Sequence, residues 1–323
     1  RKTEDLDGNP YGIDPDKIAL GGQGTGGYIS LGYATLDTVG DNTPWQEIYL
    51  TKFFNLNTMQ PYVYPPIFGN YDGTDTTYLP IYDTLGNLIG TSLWNNANWP
   101  TYSNEITMAF NIGGCLGDSS WLEQGDVPMV SFHCAKDPSG PYANGDVIVP
   151  TTGDFVVEAQ GSYIVQKHQD MYGNNAVFTN AGFSDSFTQA SVSNNTLFNT
   201  INGYTVGNNY DGLYTFVTPA PSSTPNAFGE SYEEEGAPWD WWDNTWYDNM
   251  HQAIHSSPPG YGPANSILGN PNMSSANGNA YLDTIQGYLN PRMFLALQLD
   301  TIATTSIEEI IDFSTEIYPN PTI

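Results

Sequence analysis

Positive charge is nearly absent from this chain. Seven Lys and Arg stand against 35 Asp and Glu, for a formal net charge of −28 at pH 7. So few cations cannot build a face for phosphate contacts, which argues against nucleic acid and against anionic membrane surfaces as partners. No run of about 20 apolar residues occurs, so no membrane-spanning helix is expected. The opening, "RKTEDLDGNPYGIDPDKI", lacks an apolar leader and an initiator Met, and reads as the start of a processed or truncated piece. Cysteine is scarce too, with only Cys115 and Cys134. Each follows a strand-like run, which leaves open one disulfide between neighbouring strands or two buried free thiols.

What is present is a chain of 323 residues, 39% hydrophobic, which suffices for one large domain or two small ones with a substantial core. Frequent Gly, Pro, Tyr and Asn favour long ordered loops over a helical bundle. The acidity fits solubility in salty surroundings, where repulsion is screened, and divalent-cation binding is the sharper alternative.

Short continuous apolar runs alternate with helical patterns. Lys17–Leu20 reads as a buried strand and Tyr28–Leu36 as a helix. Ile106–Ile112 and Val127–Cys134 read as two more strands, Gly161–Tyr172 as a helix, and "NAVFTNA" as a further strand. Such strands, separated by helices, indicate an α/β class with a mostly parallel sheet covered on both faces. Asn279–Leu297 has helical spacing broken by Pro291. No repeat of 20 to 50 residues is found. The expected division is a first core piece over 1–36, a β-rich insertion or cap over 37–104 with a hairpin turn at "LGN", and core again over 105–182. An elaborated C-terminal part of the core follows over 183–297, then a tether over 298–323.

"GGQGTGGYISLGYA", from Gly21 to Ala34, stands between the first strand and the first helix. Gly22, Gln23, Gly24, Thr25 and Gly26 fall on the five positions of G-x-S-x-G, whose strained strand-to-helix turn lifts a serine hydroxyl above the sheet. "DVPMVSFHCAKDPSGPYANG" follows from Asp126 to Gly145. Together these segments resemble the esterase/lipase branch of the α/β-hydrolases. The resemblance implies that fold. It puts Gly24 at the nucleophile position, Gln23 and Thr25 at its oxyanion and elbow flanks, and Asp137 at the acid. His133 falls on a structural position of the acid segment, and Cys134 stands where the family has Gly.

Gly24 has no side chain to attack a carbonyl, and Thr25 is one place off the apex. The candidates for a base are His168, His251 and His255. The last two are four residues apart and so share a face if helical, but none has the usual setting of a hydrolase base. No Glu completes an H-E-x-x-H motif, so a zinc site is not expected. The Lys of a phosphate-binding loop is also missing. "DLDGNPYGIDPD" has its Gly8 misplaced for a calcium loop, so structural calcium has weak support and no cofactor is expected.

The family's oxyanion loop and first strands have no counterpart here. The resemblance therefore implies that an N-terminal fragment or another chain completes the sheet. The C-terminal "EIYPNPTI" resembles the start of the type IX secretion sorting domain of Bacteroidota, which implies a secreted or cell-surface protein. Five D-T-x tripeptides, at Asp37, Asp75, Asp83, Asp283 and Asp300, resemble the O-glycosylation sequon of that phylum. "PWDWWDNTW" carries four tryptophans, for which burial is favoured over an exposed sugar- or protein-binding platform. Two functions follow. One is a non-catalytic extracellular protein with a binding or assembly role on a degenerate hydrolase scaffold. The other is a secreted carboxylesterase or lipase-like enzyme whose serine is altered at Gly24.

Overall fold

The computed structural model describes residues 5–36, 54–55, 59–61, 76–96, 102–148 and 153–299. The class is α/β. Four strands, β1 (Ala19–Gln23), β6 (Met108–Ile112), β7 (Met129–Cys134) and β12 (Leu213–Phe216), pair in that order, all parallel. Ala19 pairs with Met108, Ala109 with Met129, and Ser131 with Leu213. Every residue of β7 is buried, as expected for a central strand covered on both faces.

The covering helices follow from the alternation of side chains along each strand. On one face Ala109 and Met129 meet Leu31 and Ala34 of α1 (Thr25–Thr35) and Val165 of α2 (Ser162–Tyr172). On the other, Met108, Val130, Phe132 and Cys134 meet Ile285, Tyr288, Leu289 and Ala296 of a long C-terminal helix, Ser275–Ala296. Phe132 and Tyr288 stand edge to face, with centroids 5.8 Å apart.

Two expectations are corrected. "NAVFTNA" is not a strand, because Ala176–Thr179 forms a short helix, α3. Asn175 fixes the turn before it: its Nδ2 donates to Gln166 Oε1, Met129 O and Asp211 O, while its Oδ1 accepts from Met129 N. Pro291 does not break the C-terminal helix, which is continuous. Ile285, Tyr288, Leu289, Arg292 and Ala296 form one buried stripe along it, and that packing outweighs the lost donor.

The hairpin at "LGN" is present. Strands β4 (Thr77–Tyr82) and β5 (Leu88–Asn95) flank a turn in which Asp83 Oδ1 accepts from Leu85 N and Asn87 N. They form a two-stranded sheet of their own. Among the described residues, three further pairs complete the strand set: β2 (Phe54–Asn55) with β3 (Gln60–Pro61), β8 (Asn144–Ile148) with β9 (Phe155–Gln160), and β10 (Thr200–Ile201) with β11 (Tyr204–Thr205). Helices α4 (Ser186–Asn195), α5 (Asn244–His255) and α6 (Tyr261–Ser266) precede the C-terminal helix, which is α7. Residues 37–53, 56–58, 62–75 and 97–101 of the insertion, residues 300–323 with "EIYPNPTI", and the tripeptides at Asp37 and Asp300 lie outside the described residues, as does Asp75 itself.

Candidate functional site

The glycine-rich turn joins β1 to α1. Gly24 sits at its apex with φ 51° and ψ −118°, a backbone conformation open to glycine and sparsely populated by other residues. Its N–H donates to Ile112 O at 2.8 Å, and its carbonyl accepts from Gly27 N and Tyr28 N. The turn is tight enough that a Cβ on Gly22 would overlap the Gly26 carbonyl and lie 2.7 Å from its Cα. Above the apex there is room, since a Cβ on Gly24 would meet nothing within 4 Å. Thr25 is exposed and begins the helix. Gln23 is exposed too, and its Nε2 donates to Asp240 Oδ1 at 2.9 Å, tying the turn to the loop after β12.

Asp137 lies in the turn that follows β7 and is 9% exposed. Its Oδ1 accepts from Ser139 N at 2.8 Å and Gly140 N at 3.2 Å, which fixes the carboxylate against its own loop. Its Oδ2 is 3.6 Å from His133 Nε2. His133 is fully buried, with Nε2 3.2 Å from Gly140 O and Nδ1 2.9 Å from Ser162 Oγ. A carbonyl facing Nε2 places the ring proton there, so Nδ1 accepts from the serine hydroxyl. Burial holds this imidazole below the ordinary histidine range, against the opposing pull of Asp137 and Gly140. Asn111 Oδ1, 3.3 Å from Ser162 Oγ, is the alternative acceptor for that same hydroxyl proton, and Asn111 Nδ2 donates to Ser131 Oγ at 2.7 Å. His133 is thus the buried end of a polar network beneath the sheet's C-terminal edge.

The third side of Asp137 faces Gly236. A Cβ on Gly236 would overlap Asp137 Oδ1 and lie 2.8 Å from Cγ. Glu235 beside it is buried, its Oε1 accepting from Asn272 N at 2.8 Å. Trp239 packs on Phe216 and reaches toward Gly113, whose Cβ would stand 3.6 Å from the indole. The loop carrying Glu235, Gly236 and Trp239 therefore closes over the acid. Trp239 is the buried member of the tryptophan cluster, while Trp241 and Trp246 are 45% and 60% exposed, so the expectation of burial is met only in part. Beside the loop lies an open cleft of about 410 Å³, lined by Lys136, Asp137, Pro138, Phe198, Ile201 and Glu234 among others. Lys136 Nζ and Glu234 Oε1 pair at 3.1 Å at its edge.

The candidate bases have other contacts. His168 lies on α2, its Nδ1 donating to Ile164 O at 2.9 Å. His251 and His255 lie on α5 with ring centroids 4.7 Å apart, and His251 Nδ1 is 2.6 Å from Ser257 Oγ. Tyr247 and Tyr261 flank His251. None of these contacts reaches Asp137 or Gly24. Gly236 was not anticipated as a neighbour of the acid, and its only signal is a glycine after an acidic run.

The two cysteines are free and buried, which sets the disulfide aside. Cys115 Sγ lies 3.5 Å from Pro141 O and beside Tyr28, whereas Cys134 belongs to the core under α7. Burial pushes the Cys115 thiol up to about 12 and raises that of Cys134 well above its usual value. In the "DLDGNPYGIDPD" segment, Asn9 Oδ1 accepts from Ile13 N at 2.7 Å and Asp5 Oδ2 accepts from the Tyr102 hydroxyl. Among the described residues, no group of three or more His, Cys, Asp or Glu is placed to hold a metal ion, and no helix is long and apolar enough to cross a membrane. Of the two described D-T-x tripeptides, Thr84 is exposed on the β4–β5 turn, and Thr284 bonds Ala280 O within α7.

Comparison with known proteins finds no family model, no curated protein and no solved structure that matches this chain.

Proposed function

We propose that this chain is a non-catalytic binding or assembly component on an α/β-hydrolase-like scaffold, secreted or held at the cell surface. The observation that carries the reading is the apex at Gly24, held in a backbone conformation that favours glycine, open above and without a side chain. A turn built to present a nucleophile presents none. The chain order of the parallel strands supports the scaffold: the tight turn follows the first, and the buried Asp137 follows the third. Gly236 lies against that carboxylate and leaves less of it open to a base. Export rests on the resemblance of "EIYPNPTI" alone.

The assembly part rests on the outer side of β1, which among the described residues is an edge of the parallel sheet. Gly21 and Gln23 are exposed there, and Ile29 and Tyr33 of α1 are 64% and 45% exposed. Parallel strands are ordinarily covered on both sides. A further segment or chain that adds a strand at β1 and an apolar surface against α1 would complete the layer.

A fluorophosphonate probe and an ester-hydrolysis assay test the catalytic half, and no labelling and no turnover are expected. Covalent labelling of the native protein would favour the altered-esterase reading. Mass spectrometry under denaturing conditions tests the assembly half, where a companion polypeptide of different mass is expected. A single species in material that is monomeric in solution would overturn it.

A further inference from the structure

His251 and His255 are four residues apart on α5, so both rings leave the same face of the helix. Their centroids are 4.7 Å apart and their planes are tilted by 45°. An ion about 2.0–2.1 Å from a ring nitrogen lies about 3.2 Å from that ring's centroid, so two imidazoles sharing one ion at roughly 90–110° have centroids about 4.5–5.2 Å apart. The observed separation falls inside that range.

The first ring is held in place. Its Nδ1 is 2.6 Å from Ser257 Oγ, which leaves Nε2 as the outward nitrogen. Ser257 reaches it because Ser256 takes the left-handed conformation, φ 54°, and turns the chain back at the end of α5. On the other side α6 seats against the root of the ring, where a Cβ on Gly262 would lie 2.6 Å from His251 Cβ. Tyr247 and Tyr261 flank the imidazole. A hydrogen bond at one ring nitrogen that fixes the orientation of the other is the usual support of a metal-binding histidine. His255 is exposed in the last turn of the helix, and among the described residues it makes no hydrogen bond.

The electrostatics favour a cation here. The chain carries a net charge of −28, and the C-terminal end of a helix dipole is negative. Competing groups are few. Asp248, three residues before His251, is committed, with Oδ1 accepting from Gly260 N and Oδ2 from Gln252 Nε2. The other two of the chain's four histidines stand apart, His133 buried in the network at Asp137 and His168 bonded to Ile164 O on α2. Both thiols are buried.

We propose that His251 Nε2 and a ring nitrogen of His255 bind one divalent transition-metal ion, zinc or copper, with water in the remaining positions. Imidazole suits such ions, whereas calcium and magnesium take oxygen ligands. Two protein ligands are fewer than a closed structural site supplies, so the ion exchanges and stays open to a further ligand. Without the Glu of an H-E-x-x-H motif, it serves binding rather than hydrolysis. Its direct effect is to clamp the last turn of α5. The inference is independent of the reading of Gly24.

Calorimetric titration of the full chain with zinc, in excess calcium to occupy surface carboxylates, tests it. One zinc ion per chain is expected, with a rise in melting temperature. His255→Ala should weaken binding by about tenfold or more and remove the rise. Because His255 is exposed, that variant should melt like the parent when zinc is absent. Adding Ala253→His to His255→Ala restores the number of imidazoles at a spacing of two, which turns the new ring to another face, and should not restore binding. No zinc uptake above the calcium background, affinity indifferent to His255→Ala, or full rescue by Ala253→His would overturn the proposal.

Discussion

Gly236 and Asp137 are in direct contact, with the glycine backbone seated on the carboxylate so closely that no side chain fits between them. Gly236→Ala must push Asp137 off the N–H groups of Ser139 and Gly140 or shift the loop. The expected cost is about 1–3 kcal/mol, as for overpacking a filled site. Asp137→Ala removes the obstacle, so the double variant should be less destabilised than the sum of the two singles. Urea denaturation of the four proteins measures this, and strict additivity would show that the contact carries no energy.

Gly24→Ser has room for its side chain but must adopt φ near 51° without glycine's freedom. A loss of about 1–2 kcal/mol is expected from the denaturation midpoint. The new hydroxyl should stay unreactive to a fluorophosphonate, because Asp137 is committed to its own loop, His133 and Gly236. Rapid labelling of the variant would reveal a working base and reverse that conclusion.

His133 sets a pH dependence whose sign follows from its burial. Its folded pKa is held below the ordinary value of about 6.5. Below that value the unfolded chain takes up a proton that the folded one does not. Stability is therefore unpenalised above about pH 6.5 and falls as pH drops below it, until the folded pKa is reached. His133→Asn should flatten this fall. Denaturation of both proteins between neutral and mildly acidic pH checks it, and parallel profiles would count against the assignment.

Both thiols should resist modification in the native state. Burial raises the pKa of each, so little thiolate forms at mildly alkaline pH and access is blocked. Thiol titration should detect none before unfolding and two in denaturant. Two that react in the folded protein would contradict the packing around Cys115 and Cys134.

Arg292 is fully buried, its guanidinium 3.5 Å from the Tyr288 ring centroid and 4.6 Å from that of Phe183. Nη1 donates to Tyr288 O, Nη2 to Thr188 Oγ1, and Asp211 stands 4.0 Å away. Arg292→Ala should cost about 3 kcal/mol, chiefly from the cavity. Arg292→Met, which keeps the volume, should cost clearly less, because desolvating the charge consumes much of what its contacts return. Equal losses would assign the stabilisation to the charge.

The elements that could be read from the sequence were those whose pattern is local. Ile106–Ile112 and Val127–Cys134 are continuous apolar runs and became β6 and β7. The glycine spacing of Gly22–Gly26 forecast a sharp turn between strand and helix, and Gly24 adopts it. "NAVFTNA" reads as a strand yet is a helix, because a short apolar run has no period to separate the two and Asn175's distant partners decide it. Pro291 weakened the reading of α7 by propensity alone, whereas a stripe packed on the sheet held the helix together. The approach of Gly236 to Asp137 joins residues about a hundred positions apart, and a glycine announces nothing about what it touches.

The long detour between β1 and β6 has a consequence for how the sheet assembles. The strands are neighbours, yet residues 24 to 107 lie between them, including the β4–β5 hairpin. Closing that loop costs entropy before any contact rewards it. Strands β6 and β7 are separated only by residues 113 to 128, and α2 follows soon after. The centre of the sheet can therefore condense first, with β1, its glycine turn and α1 docking last.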